Sequence, residues 1–339
     1  MLREARKPSR APASKQAFPL EFFRWKMSSP SRRGEPTRRQ SERNQNQHEP
    51  NFVNRLLSIA IAVLICCPTF AADAPKPLKA LLIAGGCCHD YKTQKDLLKK
   101  GIEERAHIVV DLLYSEDRSV KPPFSFYGKP DYGAGYDVII HDECAAGISD
   151  PAVIEGVLKP HRDGIPGVNL HCAMHCYRIG NPGEPATPGS QRALWFDYLG
   201  LQSSGHGPQA PIAISFVEPN HPVTKGMADW TTVNEEHYNN IKIFDNAHPL
   251  AMGKQIAKQK KKLKDGTEEV TEKETNWVVV WTSSYNGKTR VFNTTIGHNN
   301  ITVGDARYLD LVTRGLLWAC GKLDADGKPM PGYEVRGGK

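Results

Sequence analysis

Leu78-Lys79-Ala80-Leu81-Leu82-Ile83-Ala84-Gly85-Gly86 is the stretch from which the fold follows. A nearly unbroken apolar run stopped by two glycines is the pattern of a strand buried on both faces, as in a parallel sheet covered by helices. The glycine pair lets the backbone turn tightly, which sets the next residues, Cys87-Cys88-His89-Asp90-Tyr91, over the sheet edge. Thr93 to Arg105 carries Leu97, Leu98 and Ile102 at helical spacing, with Thr93 as its expected cap. His107 to Tyr114 reads as the second strand, Ser115 to Gly135 as a long loop, and Tyr136 to His141 as the third strand. Asp150-Pro151 opens a helix running to about Arg162, and Ile165 to Leu170 is the fourth strand. This β-α-β-α-β order predicts a parallel sheet with right-handed crossovers.

Beyond it, residues 178–210 are loop-rich with one helix over Gln191 to Leu199, and Pro211 to Val217 and Thr231 to Tyr238 read as further strands. Asp265-Gly266 is a tight-turn signal inside a long hairpin over Ala251 to Trp281, so the run Lys258 to Lys264 is expected on a solvated surface. Asn286-Gly287 turns a second hairpin into the strand Thr289 to Ile296, which ends at Gly297-His298. Asp305 to Cys320 forms a closing amphipathic helix, and the tail 323–339 is expected to be loose.

Residues 1–52, rich in Arg, Ser, Pro, Gln and Asn, lack the apolar content to offset chain entropy and read as a disordered leader. Asn54-Arg55, the apolar run Leu56 to Cys67 and the small residues around Ala71 then form the three parts of a signal peptide over 53–71. It is too short to be a stable membrane span. Its position points to a start later than Met1, at Met27 or Val53, and to cleavage after Ala71 or Ala72, giving a secreted or periplasmic protein. Residues 1–71 hold 13 Lys and Arg against 5 Asp and Glu, which leaves the rest of a +7 chain at −1. The basic balance belongs to the leader and gives no reason to expect a nucleic-acid partner. Six cysteines remain after the leader (Cys87, Cys88, Cys144, Cys172, Cys176 and Cys320), and an oxidising compartment permits disulfides among them without fixing a pairing.

Strand ends of an α/β sheet are where such folds place chemistry, and three of them carry histidine. His89-Asp90 pairs an imidazole with a carboxylate, a candidate acid, base or ligand. In His171-Cys172-Ala173-Met174-His175-Cys176, His171 takes the strand-to-helix corner, while His175 is either a second ligand or a packed ring. Cys172 is the candidate nucleophile of a rival thiol mechanism. In Glu235-Glu236-His237-Tyr238, strand parity turns Glu236 and Tyr238 inward and leaves Glu235 to solvent. Ser204-Gly205-His206-Gly207 is a flexible loop that brings His206 over the site.

Taken in order, Gly85-Gly86 before His89-Asp90, Tyr136-Asp137-Val138, Gly167 to His171, Asn220-His221-Pro222, Glu235 to Tyr238, Gly297-His298 and Arg314 to Ala319 resemble the trehalose-utilisation (ThuA-like) family. The resemblance spans about residues 78–322, in a domain bounded at 76–322. The insertion Ile256 to Thr275, the Cys87-Cys88 pair, and His237 in place of an aliphatic residue depart from its pattern. It implies a flavodoxin-like, class I glutamine amidotransferase-like α/β fold: a mostly parallel sheet flanked by helices, here with a β-hairpin insertion. In those amidotransferases a cysteine occupies the corner that His171 fills here.

The resemblance links the chain to disaccharide catabolism through 3-keto sugars. The expected protein is a carbohydrate-active enzyme taking a small carbohydrate substrate. Its catalytic residues would be His89, Asp90, His171, Glu236 and His298, with Tyr91, His206, Tyr238 and Asn299 binding substrate. Three imidazoles and a carboxylate (His89, His171, Glu236 and His298) suit a divalent metal such as Zn²⁺. The rivals are an amidotransferase-like hydrolase using Cys172 and a non-catalytic carbohydrate-binding module using Trp195, Phe196, Tyr198 and Tyr238.

Overall fold

A computed structural model describes residues 75–335. The expected leader and signal peptide lie outside the described residues, as does the end of the tail. In chain order the sheet and its covering helices begin with β1 (Leu78–Gly86), α1 (Tyr91–Glu103), β2 (Ile108–Ser115), β3 (Val138–Cys144), α2 (Pro151–Asp163) and β4 (Gly167–Leu170). A 3₁₀ turn over His171–His175 follows β4 directly. Then come α3 (Leu194–Leu199), β5 (Leu201–Gln202), β6 (Ala210–Phe216), β7 (Trp230–Glu235) and β8 (Lys242–Ile243). β9 (Ala247–Lys262), β10 (Glu268–Tyr285), β11 (Thr289–Thr294), α4 (Asn300–Val303) and α5 (Ala306–Ala319) complete the order.

The main sheet runs β2-β1-β3-β4-β11-β10-β9-β6-β7. Its first five strands are all parallel and in the 2-1-3-4-5 order of a flavodoxin-like fold. The four beyond are antiparallel: the β9–β10 hairpin extends the sheet and β6–β7 pairs onto it. Alternate residues of β1 feed opposite layers. Leu82 packs with Leu98, Ile102, Val312 and Leu316 of α1 and α5 on one face. Ile83 packs with Ile139, Ile154, Trp195 and Trp281 on the other, under α2 and α3. Each such fully buried side chain stabilises the domain by about 1.5–3 kcal/mol.

Two local readings change. Asp90, not Thr93, caps α1: its carboxylate accepts from Thr93 N. The tail, expected to be loose from residue 323, is tied down as far as Tyr333. Leu323 bridges Pro329, and His107 N donates to the Tyr333 carbonyl at 2.9 Å. Tyr333 packs against the core, so the start of β2 gains a cover that its apolar residues need. Among the described residues no helix is long and apolar enough to cross a membrane.

Candidate metal centre

Three parallel strands deliver three imidazoles to one place. β1 ends in Gly85-Gly86, and after the turn His89 lies almost wholly buried. β4 ends at Leu170, and His171 sits at the corner with φ of 39°, a left-handed conformation uncommon outside glycine. Such positions cluster where the surrounding structure over-determines the backbone for function. Beyond β11, Gly297 has φ of 130°, and a Cβ there would lie 2.7 Å from Tyr308 Oη, so only glycine admits the turn that presents His298.

Glu236, just past the end of β7, supplies the carboxylate. His171 Nε2 lies 3.4 Å and His89 Nε2 3.8 Å from its Oε2. His298 Nδ1 lies 3.3 Å from its Oε1, and His89 Nε2 faces His171 Nε2 at 2.9 Å. One donor atom from each of the four residues falls within 4.8 Å of the other three.

Outer hydrogen bonds fix the rings. His171 Nδ1 donates to the Thr295 carbonyl at 2.6 Å. In the neutral ring this leaves the Nε2 lone pair turned to the cluster. His89 Nδ1 pairs with Tyr91 Oη at 3.2 Å. His298 Nδ1 is buried with no hydrogen-bond partner; its approach to Glu236 lacks hydrogen-bond geometry and is electrostatic. An orphaned imidazole nitrogen beside a carboxylate and two further inward nitrogens is what a bound cation would satisfy. The donor set of three nitrogens and one carboxylate oxygen matches Zn²⁺ and similar ions. The buried cluster is therefore compatible with a divalent-metal site.

The electrostatics agree. Burial, helped by His171 and His298, depresses the His89 imidazole to about 4. Burial also works to raise the Glu236 carboxyl, but contacts with His171, His298 and His89 outweigh it and hold that group well below the usual carboxylate range. The Glu236 carboxylate in turn raises His298 above the ordinary imidazole value. Glu236 is thus anionic throughout the physiological range.

Of the expected substrate residues, His206 reaches the rim, its half-exposed ring 3.5 Å from Glu236 Oε2. Tyr238 is buried, stacked on His175 with centroids 4.0 Å apart, its hydroxyl 3.4 Å from His171 Nε2. It and Tyr91 are ring-positioning groups, because neither exposes a surface to substrate. Asn299 caps α4, its side chain accepting from Ile301 N. Asp90, expected to be catalytic, has its carboxylate bound to Thr93 N and to Asn300 Nδ2 at 2.7 Å, clasping the β1 and β11 loops together. His175 hydrogen-bonds Ser203 instead of joining the cluster.

The largest departure is Glu235. β7 stops there, so parity no longer sends it to solvent, and it is fully buried. Its carboxylate accepts from Gly297 N, His298 N and Asn299 N at 3.3, 2.8 and 3.0 Å. Gln94 holds the same loop from the other side, donating to the His298 carbonyl at 3.0 Å. Gln209, from the loop before β6, lies 2.9 Å from His298 Nε2. The doubled Glu235-Glu236 was the one sequence signal for this layer.

Cys87 and Cys88 form a disulfide, leaving Cys144, Cys172, Cys176 and Cys320 as thiols. Cys172 does not suit the thiol mechanism. Its hydrogen bond with Cys144 and its burial push the thiol well above its ordinary value. Tyr238 Oη, at 3.8 Å, is its neighbour toward the cluster. Trp195, Phe196, Tyr198 and Tyr238 are core residues and have no face free to stack on a sugar.

The family described as ThuA, trehalose utilisation, matches residues 81–319, well over half of the sequence. The chain belongs to the ThuA family. Among solved structures the ThuA domain is similar to one described as a ThuA-like protein from Parabacteroides merdae ATCC 43184. That match has 21% identity and a TM-score of 0.49, and covers 73% of this chain and 92% of that one. A structure described as a GMP synthase component from Thermoplasma acidophilum matches at 11% identity and TM-score 0.37, covering 72% of this chain and 94% of that one. The glutaminase domain of Trypanosoma brucei CTPS matches at 10% and 0.38, covering 76% and 99%. A comparison with curated proteins gives no match.

Proposed function

We propose that this ThuA-family protein is an exported carbohydrate-active enzyme whose His89–His171–Glu236–His298 centre acts on a glycoside or keto-sugar. The observation that carries the reading is the convergence of three strand-end imidazoles and one carboxylate, with the His171 and His89 rings oriented by partners outside the cluster. A divalent ion held by these four residues would supply Lewis-acid polarisation of a sugar carbonyl or of a bound water. The chain's own groups do the rest. Thr295 and Tyr91 keep the His171 and His89 nitrogens turned inward, and Glu235 fixes the loop bearing His298. His206 stands at the rim within reach of Glu236, placed to take or return a proton on the carbon next to the carbonyl. The sugar substrate is suggested by the family's link to trehalose utilisation.

The test is metal analysis of the purified protein together with turnover of a panel of disaccharides and their keto forms, with and without divalent ions. The reading expects turnover that depends on the ion and is abolished by His298→Ala. Full activity in metal-free protein would remove the ion from the scheme, and binding without turnover would favour a carbohydrate-binding role. Export rests on the signal-peptide pattern at 53–71, and an uncleaved chain confined to the cytoplasm would overturn it.

A further inference from the structure

Two residues far apart in sequence, His237 and Thr275, meet in space. His237 follows Glu236, and Thr275 lies on the inserted arm of β10; His237 Nδ1 and Thr275 Oγ1 are 2.7 Å apart. Beside them opens a cleft of about 300 Å³, at the lower end of the range for ligand pockets. The β9–β10 register explains its wall. Gly253 pairs with Trp277, Gln255 with Thr275, Ala257 with Lys273 and Gln259 with Thr271. Odd-numbered residues of both arms therefore share one face, and that face lines the cleft, while Lys254, Lys258, Lys260 and Glu274 lie on the other. The cleft continues to His206, whose ring is also at the rim of the metal centre.

Its chemistry is that of a carbohydrate surface. Trp277, half-buried, gives the wall an aromatic ring; exposed Lys273 and half-buried Gln259 bring donors and an acceptor. His237 is 3% exposed, with its Nε2 turned to the Gly253 backbone. Gly253 lets the His237 ring pack close against β9: a Cβ there would lie 3.1 Å from His237 Nε2 and 2.6 Å from Val279 Cγ1.

We propose that this cleft is a second-ring subsite, holding the sugar unit that does not react while the reacting unit occupies the metal centre. The substrate is then a disaccharide or comparable glycoside, not a free monosaccharide. The inference rests on the carbohydrate reading above.

Isothermal titration of the zinc-loaded full chain with glucose, methyl glucoside, trehalose, maltose and sucrose tests it. At least one disaccharide should bind about tenfold or more tightly than glucose. Trp277→Ala should cut that ratio about tenfold, the scale expected for one lost aromatic contact. Lys273→Ala, at an exposed position that folding does not depend on, should lower it as well. Lys258→Ala, on the opposite face, should not. Equal binding of glucose and every disaccharide would remove the subsite and leave the carbohydrate reading standing. So would an unchanged ratio in both Trp277→Ala and Lys273→Ala. No binding of any sugar would remove both.

Discussion

Glu235→Gln tests the layer of the site that no ligand contact reveals. The change is isosteric, but it replaces one acceptor oxygen by an NH₂ group. In the wild type, Oε2 accepts from Gly297 N and His298 N, and Oε1 from Asn299 N. The amide leaves at least one of these buried N–H groups facing another donor. Losing a hydrogen bond to an ionised acceptor costs about 1.5–3 kcal/mol, and an unsatisfied buried donor about 1–3 kcal/mol. The two figures describe one loss, so the loop 297–299 is destabilised by roughly 1.5–3 kcal/mol. Part of that loss reaches the metal through His298, whose position the loop sets. Changes to such outer groups typically weaken metal binding by about 10–100-fold, or about 1.4–2.8 kcal/mol. Competitive zinc titration against a chelator reads the affinity, and urea unfolding of the metal-free protein reads the stability. Glu236→Gln, which removes a ligand atom directly, serves as the comparison. A folded Glu235→Gln protein binding zinc within about twofold of the wild type would refute the argument that Glu235 positions His298.

The metal-free protein should lose stability as pH falls from 6.5 to about 4. The His89 imidazole titrates near 6.5 when unfolded and near about 4 when folded, so the unfolded state binds more protons across that window. The His89 share is of order 3 kcal/mol, and His161, His175, His221 and His237, depressed by burial, add to it in the same direction. The share of His89 is read as the difference from His89→Ala in the pH slope of the urea midpoint, and an equal slope in that variant would contradict it. His298 contributes with the opposite sign, stabilising below 6.5 and losing that contribution as pH rises through its raised value; Glu236 stabilises above 4.5 and down into more acid pH. Cys172→Ala should keep its turnover, and iodoacetamide at neutral pH should leave Cys172 unlabelled in the folded protein; labelling with loss of activity would restore the thiol mechanism. Asp90→Ala should destabilise the fold by about 0.5–2 kcal/mol through loss of the α1 cap, read as a lower urea midpoint. An unchanged midpoint would mean that the cap and the clasp to Asn300 contribute nothing.

The parallel half of the sheet was legible because each strand is an apolar run with a sharp stop, and each histidine of the cluster stands just past such a stop. His89, His171 and His298 could be grouped before any coordinate was known, since strand order alone brings the ends of β1, β4 and β11 to one edge. Glu236 was also found, though by a parity argument that holds only inside a strand. Because β7 ends at Glu235, the same argument misplaced that residue in solvent, and strand ends are what periodicity locates least well. Asp90 beside His89 has the look of a catalytic pair, yet a carboxylate one residue before a helix is better placed to accept the free N–H groups of the first turn. Gln94, Gln209 and Thr295 had no signal, because their roles arise from loops that meet only in the folded chain. The insertion Ile256 to Thr275 could be read as a hairpin from Asp265-Gly266, but nothing in its sequence said that one face would line a cleft reaching His206.

X-ray absorption at the zinc edge on the zinc-loaded protein tests the central claim most directly. One ion per chain is expected in a shell of nitrogen and oxygen at about 2.0–2.2 Å, with imidazole scattering that weakens by about a third in His171→Ala, where His89 and His298 remain. A protein that takes up no zinc, or a spectrum dominated by sulfur at about 2.3 Å pointing to Cys144 with a reduced Cys87-Cys88 pair, would contradict it.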